Sequence, residues 1–175
     1  SKKNNHIING LVNNAGIRQR VSFSKLNIKD LRKIFEVNFF AQFECIKEFI
    51  NNLLKVKKNG SIVNIASIVG QNGFKELCGY ASTKSALIGL SKSIAAEFAS
   101  KNIRCNVVSP GFIKTSFYKK FKKNKKLYNW TISRIPLAKW GEADEVSESI
   151  CFLLSDNSRY ITGETLNVDG GWLSS

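Results

Sequence analysis

Short runs rich in β-branched residues alternate with long amphipathic segments along most of this chain. Strand-like runs cover residues 7–12, 61–67, 103–108 and 165–168. Between them, apolar residues recur every three or four positions, which is the period of a helix. Because parallel strands need long crossover connections, this alternation predicts an open α/β sheet of parallel strands. Ligands of such sheets bind where the strands end, so the functional residues are expected there.

Three helices are predicted from the same periodicity, at residues 30–54, 79–100 and 143–154. Residues 112–140 have no clean period and contain a lysine run at 119–126. We therefore expect an insertion there, with short helical pieces, on the side where a substrate enters. The length of 175 residues suits one domain with its own hydrophobic core.

The composition excludes several classes of protein. The net charge of +14 is mostly scattered lysine and comes without a nucleic-acid-binding motif, so we expect no nucleic-acid partner. No apolar run approaches the roughly 20 residues that span a bilayer, and the start of the chain does not resemble a signal peptide, so we expect a cytoplasmic protein with no membrane partner. The cysteines form no Cys-x-x-Cys pair and His6 is the only histidine, which predicts no metal site.

Tyr80 and Lys84 are four residues apart on the second predicted helix, so they share one face about one turn apart. A phenol has an unperturbed pKa of about 10, and a nearby ammonium group lowers that pKa toward the range of an acid-base catalyst. The same spacing is common on ordinary amphipathic helices. The pair alone is therefore weak evidence for catalysis, and its surroundings decide.

Two further polar residues fit the same chemistry. Ser67 stands where the second predicted strand ends, and its hydroxyl can bond the oxygen of a substrate carbonyl. Asn38 lies within the apolar stretch 35–40 of the first helix; taken alone, it suits the solvent side of that helix.

Small residues mark two other strand ends, at residues 13–16 and at Pro110–Gly111. Each is either a simple turn or a place where a flat ligand approaches the backbone. Their occurrence in order with Ser67 and Tyr80, at successive strand ends, favours one shared ligand site.

Together these motifs resemble the classical short-chain dehydrogenase/reductase family over essentially the whole chain. The turn Asn13-Asn14-Ala15-Gly16 is similar to that family's Asn-Asn-Ala-Gly motif, and Pro110-Gly111 followed by Ile113 and Thr115 is similar to the stretch that contacts its nicotinamide. The resemblance implies a Rossmann-type doubly wound parallel sheet. The residues that match the family's catalytic tetrad are Asn38, Ser67, Tyr80 and Lys84.

The resemblance also implies a role for each residue. Tyr80 would exchange a proton with the carbonyl or alcohol oxygen, while Lys84 would lower the Tyr80 pKa and hold the nicotinamide ribose. Ser67 would orient the carbonyl, Asn38 would hold a water linked to Lys84, and NADP or NAD would supply the hydride. The residues expected to contact the cofactor are Asn14, Ala15, Gly16, Tyr80, Lys84, Pro110, Gly111, Ile113 and Thr115.

The sequence shows no Gly-rich turn of the kind that holds the cofactor pyrophosphate in the family. Its first strand matches the family's fourth, so we expect the chain to correspond to strands 4 to 7, the C-terminal two-thirds of one domain. The absence of methionine also suggests a partial sequence. We expect these 175 residues alone neither to bind a dinucleotide tightly nor to catalyse, and they do not distinguish NAD from NADP.

Two substrate classes compete. Residues 98–115 and 160–171 resemble 3-oxoacyl-[acyl-carrier-protein] reductases, in which case the lysine run 119–126 would meet an acidic carrier protein. Residues 14–20, 139–141 and 169–173 resemble sugar-acid dehydrogenases of the gluconate 5-dehydrogenase type, and an arginine near the site would suit a carboxylate. We favour the carrier-protein reductase.

An alternative of a different class is a binding protein that kept the fold and lost the cofactor site, with the lysine run serving an acidic partner. The intact set of four catalytic residues argues against it. The family resemblance further implies a homo-oligomer, a dimer or a tetramer, assembled through the two long helices and the last strand.

Overall fold

The computed structural model describes residues 7–175, apart from the side chains of residues 117 and 120. Its four strands form one sheet in chain order, and every neighbouring pair is parallel. The predicted parallel sheet is therefore confirmed. The strands are β1 (Gly10–Asn13), β2 (Gly60–Ile65), β3 (Ile103–Pro110) and β4 (Thr165–Val168).

The first long helix runs from residue 28 to residue 56 in three consecutive segments: α1 (Ile28–Phe35), a π-helical turn (Glu36–Phe40) and α2 (Ala41–Val56). The sequence predicts a single uninterrupted helix here. A π-helical turn contains one extra residue, so it changes which side chains of the helix face inward. This turn contains Asn38.

The second long helix is α3 (Cys78–Phe98), and the last is α6 (Ala143–Leu154), both close to their predicted bounds. The segment without a clean period contains two short helices, α4 (Ser116–Lys122) and α5 (Lys125–Arg134). Single 3₁₀ turns occupy Phe23–Lys25, Ile68–Gly70, Ala99–Lys101, Asp156–Ser158 and Trp172–Ser174.

Helices cover both faces of the sheet. Ile62 of β2 packs with Phe49 of α2 and Ile94 of α3 in one apolar cluster. Its neighbour Val63 points to the opposite face and packs with Leu153 of α6, because successive strand residues alternate between faces. The structure is thus a doubly wound α/β sheet, as the sequence predicts.

A third, aromatic cluster joins α4 and α5 to the rest of the domain. Trp140 and Trp172 are both buried, and the rings of Phe112 and Phe121 pack against Trp140. We call residues 116–134 the basic hairpin, because no acidic residue occurs between Glu97 and Glu142. Its exposed lysines are Lys119, Lys122, Lys123, Lys125 and Lys126.

Three sequence expectations concern other parts of the fold. The first strand begins at Gly10 rather than at residue 7. Within residues 7–175, no helix is long and apolar enough to cross a membrane. The same residues contain no cluster of three or more histidine, cysteine, aspartate or glutamate side chains that suits a metal ion, and His6 lies outside the described residues.

Candidate active site

The register of the sheet brings the predicted site residues to one edge. Asn13 is paired with Asn64, Ile65 with Val108, and Pro110 with Val168, so the carboxyl ends of all four strands lie side by side. Helix α3 begins at the same edge with Tyr80 in its first turn. We call the following group the strand-end site: Asn14–Gly16, Asn38, Ser67, Tyr80, Lys84 and Pro110–Gly111.

Ser67 and Tyr80 are in direct contact. Ser67 is the N-cap of the 3₁₀ turn after β2, where its Oγ accepts a hydrogen bond from the Val69 N–H at 3.3 Å. The same hydroxyl is hydrogen bonded to the Tyr80 hydroxyl. The Tyr80 ring packs against the aromatic cluster around Trp172. Two hydroxyl groups are therefore held together, in position to receive one oxygen atom of a substrate.

Lys84 lies beneath them and is only 4% exposed. Its Nζ donates a hydrogen bond to the Ile65 carbonyl at 2.6 Å and lies 5.8 Å from the centroid of the Tyr80 ring. Burial penalises the charged form and lowers the pKa of the Lys84 ammonium to about 8. This group therefore changes its charge close to neutral pH, unlike an exposed lysine.

The pKa of Tyr80 is raised above its ordinary value, in contrast to the lowered pKa expected from the Tyr80–Lys84 spacing. Burial of the phenol raises it, while the hydrogen bond from Ser67 and the charge of Arg18 act in the opposite direction. The spacing alone does not show how deeply the phenol is buried. A raised pKa keeps Tyr80 protonated at neutral pH, which suits a proton donor.

Asn38 is fully buried, whereas its sequence context suggested the solvent side of the helix. The π-helical turn directs its amide toward the loop after β1. Its Oδ1 accepts from the Ile17 N–H at 2.8 Å, and its Nδ2 donates to the Ile17 carbonyl at 2.9 Å and to Thr83 Oγ1 at 3.2 Å. Asn38 thus joins this loop to α3, one residue before Lys84.

Gly16 lies close to both Asn38 and Lys84. A Cβ atom at this glycine would lie 3.3 Å from Asn38 Oδ1 and 3.7 Å from Lys84 Nζ, so the bare backbone lies directly over the ammonium group. Asn14, Ala15 and Gly16 are all exposed. An open backbone turn next to a buried ammonium donor fits the ribose hydroxyls of a nicotinamide cofactor, so the residues present suit that group.

Pro110 and Gly111 lie at the same edge, where the Gly111 N–H donates to the Val168 carbonyl at 3.0 Å. A Cβ atom at Gly111 would lie 2.8 Å from the Cα of Asp169, so only glycine fits. Ile113 forms a parallel β-bridge with Gly141, and Thr115 is the N-cap of α4. The cofactor contacts expected of these four residues stay a prediction.

Thr83 and Gln42 belong to the site but are not predicted from the sequence. The effect of Arg18 on Tyr80 is not predicted either. Thr83 is fully buried between Asn38 and the Tyr80 carbonyl, and Gln42 is buried with its Nε2 2.7 Å from the Ala15 carbonyl. Arg18 acts electrostatically on Tyr80, while Arg20 pairs with Glu76 at 2.9 Å. The available signal was a polar side chain three or four positions after a predicted site residue: Thr83 follows Tyr80 by three positions, and Gln42 follows Asn38 by four.

Comparisons with known proteins agree with this geometry. A family model described as enoyl-(acyl carrier protein) reductase matches residues 2–173. The 3-oxoacyl-[acyl-carrier-protein] reductase of Buchnera aphidicola (subspecies Acyrthosiphon pisum) is 38% identical over 97% of this chain, and the alignment covers 68% of that relative. The chain thus spans about two thirds of the length of this relative.

Solved structures share the same arrangement. A putative 2-deoxy-D-gluconate 3-dehydrogenase from Agrobacterium tumefaciens, with bound NADP, superposes with a TM-score of 0.94 at 33% identity over 96% of this chain and 68% of its own. A 4-hydroxyisoleucine dehydrogenase complexed with NADH gives 0.93 at 37% identity over 97% of this chain and 70% of its own. These matches confirm the predicted family and fold class: the chain belongs to the short-chain dehydrogenase/reductase family of NAD(P)-dependent oxidoreductases.

Proposed function

We propose that the protein uses NADPH or NADH to reduce the carbonyl group of a 3-oxoacyl thioester carried by an acyl-carrier protein. The observation that carries the chemistry is the hydrogen-bonded pair of hydroxyl groups on Ser67 and Tyr80, with the Lys84 ammonium group buried beneath it. The choice of substrate is supported by the 38% identity to a 3-oxoacyl-[acyl-carrier-protein] reductase over nearly the whole chain.

Reduction of a carbonyl requires a hydride at carbon and a proton at oxygen. The nicotinamide, when bound, supplies the hydride. Tyr80 donates its phenolic proton to the carbonyl oxygen, and Ser67 donates a hydrogen bond to the same oxygen as negative charge develops there. The positive charges of Lys84 and Arg18 favour the phenolate that Tyr80 becomes, which then takes a proton from solvent.

The basic hairpin is our candidate for the surface that receives the carrier protein. Its exposed lysines project from α4 and α5, while its apolar side packs on Trp140, within the aromatic cluster that also contacts Tyr80. A positive surface next to the site attracts an acidic partner and speeds its encounter with the enzyme. We accordingly assign residues 112–140 to the substrate side of the domain.

The test is turnover by the full-length protein, expressed from its complete reading frame. Acetoacetyl-carrier protein and 5-ketogluconate are offered side by side, and oxidation of NADPH and of NADH is followed by absorbance. We expect kcat/KM at least tenfold higher with the thioester. Equal or higher values with the sugar acid would overturn the choice of substrate without affecting the reaction type.

A second candidate function rests on Arg18. Its charge acts on Tyr80, so a substrate that carries a carboxylate would meet a cation beside the site. The structural likeness to a 2-deoxy-D-gluconate 3-dehydrogenase supports this sugar-acid alternative. It predicts that Arg18→Gln raises KM for 5-ketogluconate about tenfold while leaving KM for the thioester unchanged.

The complete protein is also proposed to be a homo-oligomer, a dimer or a tetramer. Large apolar side chains on the first long helix are exposed, among them Phe40, Phe43 and Leu54. An exposed apolar stripe on a long helix suits packing against a second copy. Light scattering of the full-length protein measures the subunit number, and a monomer at micromolar concentration would contradict the proposal.

A further inference from the structure

Gln42 is the one polar residue among the buried residues of α2, all of which the structure describes. It is only 3% exposed, and the next buried side chains along α2 are Ile46, Phe49 and Ile50. Its Nε2 donates to the Ala15 carbonyl at 2.7 Å, and because a carbonyl only accepts, the amide orientation is fixed by this contact. Its Oε1 is buried and accepts no hydrogen bond from the described residues. An apolar residue would fill this position at a lower desolvation cost, so we look for a role of the buried amide group.

Gln42 and Asn38 both form hydrogen bonds with the loop after β1. Asn38 bonds both backbone groups of Ile17, and Gln42 bonds the carbonyl of Ala15. Gly16 lies between Ala15 and Ile17 in the chain, and its backbone lies close to Lys84 Nζ. Both amides face this loop, because each of them bonds one of its residues. The hydrogen bonds of these two amides therefore constrain the backbone position of Gly16 through the residues before and after it.

We propose that Gln42 is a positioning residue for the cofactor: it holds the turn Asn14–Gly16 in the conformation that the nicotinamide ribose meets. This inference rests on the proposed function, because the turn needs this conformation only if it binds the cofactor. The bond to Ala15 draws that carbonyl toward the helix and leaves the outer side of the turn open. Without it, the side-chain bonds that the described residues make next to the turn are those of Asn13 with Asn64 and of Ile17 with Asn38, so Gly16 is held less firmly.

The main test uses the variant Gln42→Met, which keeps the length of the side chain and removes the donor. The dissociation constant of NADPH or NADH is measured by quenching of intrinsic tryptophan fluorescence in the full-length protein. We expect it to rise about tenfold, the effect of one lost buried hydrogen bond, while kcat at saturating cofactor changes less than about threefold. Asn52→Leu, an exposed amide on the same helix, is the matched control and should leave the dissociation constant unchanged.

A second variant, Gln42→Glu, distinguishes positioning from simple packing. The side chain keeps its size but donates to the Ala15 carbonyl only when it is protonated. Cofactor affinity of this variant should therefore weaken as the pH rises from 5 to 8, more steeply than that of the parent protein. A merely structural role would lower the melting temperature of both variants without this pH dependence.

The outcomes separate the two proposals. If the parent protein binds a dinucleotide and Gln42→Met binds it equally tightly, the positioning role is wrong and the proposed function stands. If Gln42→Met does not fold, the pH dependence of Gln42→Glu decides, and a flat profile overturns the positioning role. If the parent protein binds neither NADPH nor NADH, the proposed function is wrong and the role of Gln42 is overturned with it.

Discussion

In the strand-end site, Asn38 and Lys84 are buried and each makes defined hydrogen bonds, whereas the basic hairpin exposes its lysines and is held mainly by aromatic contacts. Asn38 and Lys84 are at most 4% exposed, and their hydrogen bonds span 2.6 to 3.2 Å. The lysines of the basic hairpin whose side chains the structure describes are exposed. Under the proposed function, chemistry in the first region depends on single atoms, while recognition in the second depends on total charge.

This difference predicts how each region tolerates change. Removing one buried group leaves its partner unsatisfied and moves the reacting atoms, so single substitutions in the strand-end site should have large effects. An exposed lysine contributes little by itself, because solvent and salt screen its charge. Several must be replaced together before recognition changes.

The largest expected effect belongs to Tyr80→Phe. The variant keeps the ring in the aromatic cluster and removes the proton donor, so kcat for carbonyl reduction should fall about a thousandfold, within the range of general acid catalysis. Steady-state kinetics of the full-length protein measure it. Tyr160→Phe is the control, since that side chain is fully exposed. A loss of less than tenfold at Tyr80 would remove it from the role of proton donor.

Next is the pH dependence that Lys84 gives to the reaction. Burial lowers its pKa to about 8, so the ammonium form is present below that pH and is lost as the pH rises through it. We expect kcat/KM for reduction to decline above pH 8. In Lys84→Arg the guanidinium stays charged, so this decline should disappear even though the rate is lower.

Two controls sharpen that pH prediction. Lys92→Met changes an exposed lysine on the same helix and should keep the decline of the parent protein. A decline at the same pH in Lys84→Arg would assign the ionisation to another group.

The basic hairpin should give a smaller and salt-dependent effect. Replacing Lys122, Lys123, Lys125 and Lys126 with Gln should raise KM for acetoacetyl-carrier protein about tenfold at low salt, and the difference should shrink near 0.5 M salt. KM for a small acetoacetyl thioester should not change. The matched control replaces four exposed lysines of the first long helix, Lys29, Lys33, Lys47 and Lys55, and an equal rise there would contradict a local docking surface.

The smallest effect compares two buried threonines, one in each region. Both are fully buried, both donate to the carbonyl three residues earlier, and both accept from a side-chain N–H: Thr83 from Asn38 and Thr131 from Trp140. Substitution by Val should cost each about 1–2 kcal/mol of unfolding free energy, measured by urea denaturation. Only Thr83→Val should also lower kcat/KM, about fivefold, because it loosens Asn38. Equal kinetic effects would erase the distinction between the regions.

Parts of the fold are predictable from local pattern. The bounds of α6 and β4 match the periodicity, since apolar residues there face one dominant surface. The π-helical turn at Glu36–Phe40 is not predictable in this way. Its Asn38 is buried by bonds to Ile17 and Thr83, which are distant in sequence. The two short helices of the basic hairpin show no clean period because they pack around an irregular aromatic cluster.

In the candidate site, too, some features follow from local sequence pattern and others depend on contacts that are distant in sequence. The predicted meeting of Ser67, Tyr80 and Lys84 follows from strand ends and helical spacing, and the structure brings all three together. The raised pKa of Tyr80 and the lowered pKa of Lys84 depend on burial, which a sequence pattern does not measure. The contacts of Gln42 and Thr83 depend on the path of the loop after β1.

The most direct test of the central claim follows the hydride itself. The full-length protein is given acetoacetyl-carrier protein and a reduced nicotinamide cofactor carrying deuterium at its transferable position, and the product is analysed by mass spectrometry. We predict that the parent protein places one deuterium on the former carbonyl carbon per cofactor oxidised, and that Tyr80→Phe places almost none in the same time. A product without deuterium, or equal transfer by Tyr80→Phe, would contradict the account.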